Sequence, residues 1–332
     1  VVKLAHGNGG RLTYDLIEDV IYEEFANDIL LEQNDAAGLP PLTGQVATTT
    51  DSFVVSPLFF PGGDIGKLSV CGTVNDLAVR GAEPLYLTVG FILEAGLEIA
   101  KFKQVVKSIA KTAEKTGVKI VTGDTKVVEK GQGDQIYINT TGIGSIAPEI
   151  SLHRDKIKPG DKIIVNGTLG DHGASILAER KEFDFQHSLE SDCRLLPNLA
   201  AEILTIGSQV RLLTDPTRGG LATTLKEIAL QNQISIKLKE GRIPYKPEVR
   251  SICEMLGLDP LYLANEGKVI VIADDKAADK VVETIKQESA VNQPQVIGEV
   301  IEEAGEEVYL QTELGGTRTL GLLTNQLLPR IC

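Results

Sequence analysis

Apolar residues along this chain follow two alternating periodicities, one typical of helices and one typical of strands. The clearest helix pattern spans 98–115 and is followed by Gly117, a common helix stop. Its apolar face is formed by Phe102, Val105, Val106, Ile109 and Ala113. Apolar residues at intervals of three and four positions predict an amphipathic helix with one buried face.

β-Branched and apolar runs bounded by turn residues predict strands around this helix. In the first half of the chain we expect a helix at 68–80 and strands at 46–52, 84–93, 118–126 and 135–146. In the second half we expect strands at 162–166, 268–273 and 296–300 and a helix at 276–288. Two further helices are expected after Asp171 and after Gly220, and the Asp171 carboxylate is expected to cap the first of them.

Strands and helices thus alternate in both halves of the chain without the short repeat of a solenoid. The turn Lys158-Pro159-Gly160-Asp161 is a plausible domain boundary. We therefore predict an α/β (α+β) protein with two related domains. The expected division is a glycine-rich lead-in at 1–39, an N-terminal domain at 40–155, a C-terminal α/β domain at 156–319 and a mobile tail at 320–332.

Composition fits a globular protein, since 42% of the 332 residues are apolar and 24% are charged. The formal net charge of -13 disfavours nucleic acid and anionic membranes as partners. The sequence has no run of about 20 apolar residues and no signal peptide at its start, so we expect a cytoplasmic protein without membrane contact. Because the first residue is Val1, the sequence leaves open whether other residues precede it.

Four cysteines are scattered without a C-x-x-C pair, which disfavours a zinc site and a disulfide framework. Cys71, Cys193 and Cys253 lie in apolar helical patterns and are expected to be core residues. Cys332 is the last residue and follows glycine-containing segments. An extended arm from Gly321 to Cys332 would reach ~40 Å, far enough to place this thiol in a cleft or at a partner. A frayed end that happens to finish in cysteine stays open as an alternative.

Three glycines fall within four positions in His6-Gly7-Asn8-Gly9-Gly10-Arg11. Such a backbone is free to fold its amides around an anion, although a flexible lead-in explains the glycines equally well. The spacing is not that of a Walker loop.

Four aspartates occupy positions suited to an ion site. Asp51 and Asp124 follow predicted strands, Asp76 lies in the predicted helix at 68–80, and Asp35 lies on a loop. Mg²⁺ prefers carboxylate and phosphate oxygens, so acids that converge on one cleft would suit Mg-ATP. Each aspartate taken alone is more often a turn former.

Several motifs together resemble the HypE family of carbamoyl dehydratases, which act in the maturation of nickel-iron hydrogenase. These are His6-Gly7-Asn8-Gly9-Gly10, Thr50-Asp51-Ser52, Val74-Asn75-Asp76-Leu77-Ala78-Val79-Arg80-Gly81-Ala82, Thr122-Gly123-Asp124-Thr125-Lys126, Gly170-Asp171-His172-Gly173, Asp215-Pro216-Thr217-Arg218-Gly219-Gly220-Leu221, Ala264-Asn265-Glu266-Gly267-Lys268 and Pro329-Arg330-Ile331-Cys332. The resemblance covers essentially the whole chain, and the terminal motif separates this family from its purine-pathway and selenium relatives.

The resemblance implies a two-domain aminoimidazole-ribotide synthetase-like (PurM-like) fold with a flexible C-terminal tail. It also implies a homodimer, formed when the N-terminal domains pair their strands into a shared barrel, with ATP and Mg²⁺ near the interface. The nucleotide-binding residues that it implies are Gly7, Asn8, Gly9, Gly10, Asp35, Asp51, Asp76 and Asp124. The metal ligands that it implies are Asp51, Asp76, Asp124 and, more weakly, Asp215.

The implied reaction is the ATP-dependent dehydration of a carbamoyl group on the Cys332 sulfur to a thiocyanate, the source of the cyanide ligand of the hydrogenase iron. By the same analogy, Lys126 and Glu266 are the catalytic bases. The implied partners are HypF, the carbamoyltransferase that loads the thiol, and the iron-carrying HypC-HypD complex that accepts the cyanide. His172 stays open between a contact with phosphate and a local hydrogen bond.

Two other functions remain open at this point. One is another ATP-dependent synthetase of the same superfamily, acting on selenide or on a purine precursor; selenophosphate synthetases usually carry a cysteine or selenocysteine near the N-terminal glycines, and positions 6–11 contain none. The other is a non-catalytic thiol carrier that uses Cys332 as a ligand, although a single thiol is a poor metal site.

Overall fold

The structure is a computed structural model that describes residues 1–152, 154–180, 188–288, 293–303, 305–323 and 331–332. Within these ranges no helix has the length and apolar character needed to cross a membrane.

The first half of the chain forms a four-stranded sheet with helices on one face. In chain order its elements are α1 (Arg11–Leu16), a π-helical turn (Ile17–Tyr22), α2 (Glu23–Phe25), β1 (Gln45–Phe53), β2 (Phe59–Phe60), β3 (Gly63–Asp64), α3 (Ile65–Val79), β4 (Ala82–Glu94), α4 (Ile99–Glu114), β5 (Lys119–Val128) and β6 (Ile136–Ile146). The sheet has the order β1-β6-β4-β5, and only the β4–β5 pair is parallel.

The helix α4 agrees with the prediction for 98–115, and its predicted apolar face is buried. The predicted helix at 68–80 begins earlier, at Ile65. The reason is that the Asp64 carboxylate accepts hydrogen bonds from the amides of Gly66 and Lys67, at 2.8 and 3.0 Å, and so caps the helix three residues before its apolar pattern is clear.

The other face of this sheet is exposed over much of its area. Side chains alternate along each strand, so those next to the buried ones point away from α3 and α4. We call this surface the open face; Val46 is 58% exposed there and Ile92 44% exposed. Its other members include Thr48, Thr50, Ser52, Thr88, Tyr137, Asn139 and Thr141.

The second half of the chain forms a seven-stranded sheet flanked by helices. Its elements are β7 (Lys162–Val165), α5 (Asp171–Ala178), α6 (Pro197–Leu204), β8 (Val210–Thr214), α7 (Gly220–Asn232), β9 (Ser235–Lys239), α8 (Pro247–Leu256), β10 (Ile270–Ala273), α9 (Ala278–Gln287), β11 (Gln295–Ile301), β12 (Val308–Gln311) and β13 (Thr317–Leu320). The order is β13-β12-β9-β11-β7-β10-β8, and only the β9–β12 pair is parallel.

The prediction that Asp171 caps α5 is wrong. Gly170 occupies the cap position with a φ of 78°, and no side chain caps this helix. The Asp171 carboxylate instead accepts a hydrogen bond from the Thr168 hydroxyl and forms ion pairs with Lys246 and Lys268. This buried carboxylate is therefore bonded to Thr168 and to two lysines rather than to the helix amides.

The three internal cysteines are buried, as predicted. Cys71 lies in α3 and Cys253 in α8, but the helix expected around Cys193 is absent because this residue lies in an irregular segment between α5 and α6.

Most of the expected mobile arm, 324–330, lies outside the described residues. The end of the chain is packed against the body: Ile331 is 4% exposed, and a backbone oxygen of Cys332 accepts a 3.3 Å hydrogen bond from the Val54 amide. The chain terminus is therefore docked beside the end of β1.

Candidate active site

A cleft of about 550 Å³ lies beside the docked terminus and receives residues from both halves of the chain. We call it the acidic cleft. Its polar lining includes Asp51 from β1, Asp76 from α3, Asp215 and Arg218 from the segment before α7, Glu266, and Cys332.

Burial raises the pKa of all three aspartates of the acidic cleft, and for Asp76 and Asp215 the charges of the neighbouring aspartates add to the effect. Burial raises the pKa of Asp76 to about 6, with a further contribution from the negative charge of Asp51. Burial also raises the pKa of Asp215 to about 7, and the charges of Asp76 and Asp51 add to this effect. The pKa of Asp51 is raised by burial as well. Carboxylates that repel each other in a cleft are stabilised by a cation bound between them.

These residues fit a divalent cation that is shared with a phosphate ligand. Among the described parts of the chain, no three acidic, histidine or cysteine side chains are placed to enclose a metal ion on their own. Asp51 and Asp76 nevertheless line the same cleft, close enough for the charge of Asp51 to raise the pKa of Asp76. Mg²⁺ in nucleotide sites is usually held by one or two carboxylates, with phosphate oxygens and water completing the octahedron, so this pair is sufficient.

Hydroxyl groups hold both of these carboxylates in place. Thr49 donates to Asp76 over 2.8 Å, and Thr73 donates to Asp51 over 3.3 Å. The two acids are therefore oriented by neighbours on β1 and α3 before any ligand binds.

Glu266 enters the acidic cleft from a tightly packed turn. Its amide donates to the Asp192 carboxylate over 3.1 Å, and its carbonyl accepts from the Arg194 amide. A Cβ on the following residue, Gly267, would lie 2.0 Å from the Asp192 carbonyl, so only glycine fits there. Glu266 is 3% exposed, and burial, followed by the charge of Asp192, raises its pKa well above the usual range.

The Cys332 thiol is uncharged in the acidic cleft. Burial raises its pKa to about 12, with a further contribution from Glu266, while Arg218 opposes the shift. Since the thiolate is the reactive form, the docked thiol is a poor nucleophile.

Arg218 lines the acidic cleft, and the sequence did not predict its place there. Among the described residues that line the acidic cleft it is the only cation, and it lowers the pKa of Asp51, Asp76 and Cys332. The available signal was its place before Gly219 and Gly220, whose φ values of 75° and 60° allow the chain to turn into α7.

Four of the other predicted site residues line a second cavity, of about 300 Å³, at the β5 edge of the first sheet. We call it the glycine groove. It is lined by Gly7, Gly9, Asp124 and Lys126, among others. Gly7 packs directly on β5, because a Cβ at this position would lie 2.9 Å from the Val127 amide.

Asp124 and Lys126 form an exposed ion pair with 2.9 Å between Nζ and Oδ1. The remaining residues predicted to bind nucleotide are also exposed: Asn8, Gly10 and Asp35. Asn34 and Ala36, on either side of Asp35, line the glycine groove.

Within one chain, the acidic cleft and the glycine groove are separated by the sheet. Asp124 pairs with Gly90, Gly90 with Asn139, and Asn139 with Ser52, so three strand spacings, about 14 Å, lie between β5 and β1. Asp51 points toward α3, whereas Asp124 shares the open face with Gly90 and Ile92. The structure thus brings Asp51, Asp76, Asp215, Glu266 and Cys332 together and places Asp124 and Lys126 elsewhere.

Family models match both halves of the chain. The N-terminal domain of AIR synthase related proteins matches residues 33–146, and the C-terminal domain of the same proteins matches residues 158–311. The two sheets and the cleft between them therefore define a protein of the PurM-like class, as predicted.

Closer relatives narrow this class. The chain is 45% identical to the carbamoyl dehydratase HypE of Azotobacter vinelandii over 333 residues, which cover 100% of this chain and 97% of the relative. A crystal structure of the hydrogenase maturation protein HypE in complex with ATP matches with a TM-score of 0.95 at 45% identity, over 100% of both chains. A structure of a HypE-HypF complex matches with a TM-score of 0.81 at 44% identity, over 93% of this chain and 99% of the other.

The chain belongs to the HypE family of carbamoyl dehydratases. The resemblance predicted from the sequence motifs is confirmed, and the family is that of enzymes rather than of thiol carriers.

Proposed function

We propose that this protein uses ATP to dehydrate a carbamoyl group on the Cys332 sulfur to a thiocyanate, and so supplies the cyanide ligand for the iron of nickel-iron hydrogenase. The observation that carries the proposal is the position of the terminal thiol, which lies in one cleft with Glu266, Arg218 and the three aspartates. The ATP complex of a HypE relative supports the choice of nucleotide.

The balanced reaction converts the S-carbamoyl group and ATP into the thiocyanate, ADP and phosphate. The carbamoyl oxygen takes the γ-phosphoryl group and leaves with it as phosphate when the carbon-oxygen bond breaks. The nitrogen loses two protons as the triple bond forms; one ends on the phosphate as HPO4²⁻, and the other is released to solvent by way of a protein base. An amide oxygen is a poor leaving group as hydroxide and a good one as phosphate, which is why ATP is required.

The residues of the acidic cleft divide this chemistry among them. Asp51 and Asp76 would hold Mg²⁺, which neutralises phosphate charge during phosphoryl transfer. Arg218 faces the negative charge that develops on the carbamoyl oxygen. Glu266 receives a proton from nitrogen once it has lost its own, and its buried position excludes water from that transfer.

The environment of Cys332 supports separate places for loading and dehydration. A docked thiol whose pKa is raised to about 12 is a poor nucleophile, whereas a neutral S-carbamoyl group suits a site that disfavours charge. We therefore propose that HypF loads Cys332 while the tail is displaced, that dehydration follows after docking, and that HypC-HypD accepts the cyanide. The HypE-HypF complex of a relative supports the first partner.

We further propose that a second copy of the chain completes the site. The open face carries the exposed apolar side chains of Val46 and Ile92, and β1 and β5 are its edges. A homodimer through this face would bring the glycine groove and Lys126 of one protomer toward the acidic cleft of the other. In such a dimer, the residues of the glycine groove and of the acidic cleft, which lie apart within one chain, would meet across the interface.

The first test of the proposed function is the intact mass of the terminal peptide after incubation with a carbamoyl donor, HypF and ATP. We expect the gain of one carbamoyl group followed by the loss of one water. A carbamoylated peptide that never loses water would contradict the proposal, as would ATP turnover that does not depend on Cys332.

We expect the wild-type protein to sediment as a dimer at micromolar concentration. Ile92→Glu, which places a charge on the open face, should shift it toward monomer. Leu230→Glu is the matched control, because Leu230 is 40% exposed but lies on α7 in the other half of the chain. A wild-type monomer, or equal dissociation in both variants, would exclude the proposed interface.

Asp76→Asn is expected to weaken Mg-ATP binding at least about tenfold, because it removes a ligand charge but keeps the acceptor for Thr49. Asp124→Asn in the glycine groove is the matched control. The loss of Mg-ATP affinity in each variant shows which of the two aspartates contributes more to binding. Titration calorimetry with Mg-ATP measures both affinities, and unchanged affinity in Asp76→Asn would remove this residue from the metal site.

The same Asp76→Asn variant should be more stable than the wild type in the absence of ligand at pH 8. Folding raises the pKa of Asp76 to about 6, so the wild type loses stability as pH rises through that value and Asp76 becomes charged beside Asp51. The difference in Tm between the two proteins should shrink as the pH is lowered from 8 to 4.

A further inference from the structure

A continuous chain of hydrogen bonds links the core of the second half to the docked terminus through His172. The Cys193 amide donates to Ser191 Oγ over 3.0 Å. Ser191 Oγ lies 2.8 Å from His172 Nδ1, and His172 Nε2 lies 2.6 Å from the Ile331 carbonyl oxygen.

The two ends of this chain fix the direction of every bond in it. The Ile331 carbonyl can only accept, so His172 Nε2 carries a hydrogen. Neutral imidazole then has a bare Nδ1, which accepts from the Ser191 hydroxyl. Ser191 Oγ in turn accepts from the Cys193 amide. Burial lowers the pKa of His172, which favours the neutral ring that this arrangement requires.

His172 is rigidly held apart from these bonds. It is completely buried, and its ring packs edge-on against Phe60 with 5.6 Å between centroids and 79° between planes. The imidazole has no room to turn away, so its Nε2–H presents a fixed donor to the terminus. If the terminus leaves, that donor exchanges its protein acceptor for water, so the bond gives the docked state the modest net stabilisation of one hydrogen bond.

Two protein donors thus hold the last two residues by their backbone oxygens. His172 donates to the carbonyl of Ile331, and the Val54 amide donates to a backbone oxygen of Cys332. Neither bond uses the sulfur, which remains free to carry a chemical group into the acidic cleft.

We infer that His172 is a positioning residue for the terminal cysteine: its Nε2–H binds the Ile331 carbonyl and stabilises the docked state in which the Cys332 sulfur faces the acidic cleft. This inference rests on the proposed function in one respect, since docking matters for dehydration only if the group is carried on Cys332. The docking itself is measurable without any reaction.

The test compares His172→Leu, which keeps volume but removes both nitrogens, with His172→Gln, whose amide nitrogen can take the place of Nε2. The readout is the rate at which iodoacetamide alkylates Cys332 in the native full-length protein. Cleavage after Glu313 releases residues 314–332, a peptide with one cysteine, so the mass of this peptide reports on Cys332 alone.

Loss of one hydrogen bond should speed alkylation about two- to tenfold in His172→Leu, with His172→Gln closer to the wild type. Dehydration of preloaded protein in a single turnover should slow by a similar factor, while loading by HypF should be unchanged or faster. A residue needed only for folding would impair loading and dehydration together.

Two controls separate positioning from general loosening. Phe60→Leu opens space beside the ring without removing the donor and should leave alkylation within about twofold of the wild type. Ser191→Ala keeps the ring but removes the hydroxyl that donates to Nδ1, so the ring can adopt either tautomer. This variant should speed alkylation less than His172→Leu does. If His172→Leu does not fold, the Ser191→Ala variant decides instead, and its alkylation at the wild-type rate would then overturn the inference.

Wild-type alkylation in His172→Leu, or equal acceleration in Phe60→Leu, would overturn the inference. Failure of the proposed function looks different, because the wild type would then not dehydrate a carbamoyl group while the alkylation rates still ranked the variants.

Discussion

Cys332→Ala is expected to accept no carbamoyl group and to form no thiocyanate, a complete loss of activity. The variant removes the only atom proposed to carry the group. It keeps the backbone oxygen that accepts from Val54 and the Ile331 carbonyl that accepts from His172, so the terminus should still dock. Mass spectrometry of the terminal peptide, after incubation with HypF, a carbamoyl donor and ATP, checks the expectation.

The three remaining cysteines act as internal controls in this variant. Cys71, Cys193 and Cys253 are all buried; the Cys71 thiol, followed by burial, raises the pKa of Cys193, and burial raises that of Cys253. They should therefore stay unmodified. A carbamoylated or cyanated peptide from any of them would show that Cys332 is not the carrier.

Glu266→Ala and Lys126→Ala are expected to accumulate carbamoylated Cys332 and to slow its dehydration by about 10² to 10⁴, the usual effect of removing a general base. Loading should be preserved, because it takes place with the tail displaced. An unmodified thiol in either variant, with active HypF, would contradict this order of events. A normal rate of cyanation would remove that residue from catalysis.

The pH dependence should identify Glu266 as the base. Because burial raises its pKa, the wild-type rate should increase with pH as Glu266 loses its proton. Glu266→Gln, which keeps size and polarity, should lose this increase along with most of the rate. A profile of unchanged shape in the Gln variant would assign the base to another group.

Mixed dimers would show whether Lys126 acts across the interface. A dimer of one Lys126→Ala chain and one Glu266→Ala chain contains one intact site if Lys126 serves the partner's cleft. Activity should then reappear after the two inactive variants exchange subunits. No recovery in verified mixed dimers would place Lys126 in the cleft of its own chain.

The sequence predicted the elements of the first half well because their signals are local. The helix at 98–115 follows from apolar spacing, and the strand at 46–52 from β-branched residues. The prediction failed where a side chain had both local and distant partners available. The Asp171 carboxylate had two possible partners, helix amides and distant lysines, and only the folded chain shows that Lys246 and Lys268 are near.

The acidic cleft was harder to predict, because its members are distant in sequence. Asp51 and Asp124 have the same local signal, an acid at the end of a strand, yet they lie on opposite faces of one sheet. Which face a strand residue occupies depends on pairing with neighbours, and a shift of one position reverses it. The contact between His172 and the terminus could not be predicted from the sequence either, because the acceptor lies 159 positions further along the chain.

The docked terminus also changes what kinetic measurements can report. Under the proposed function the reacting group arrives on Cys332, so its effective concentration at the cleft is set by the chain that carries it; tethered groups reach effective concentrations on the order of millimolar. Dehydration after loading should therefore be first order, at a rate independent of protein concentration. ATP alone should show a KM. A free thiocarbamate added to the solution would have to exceed that tethered concentration before it could compete for the cleft.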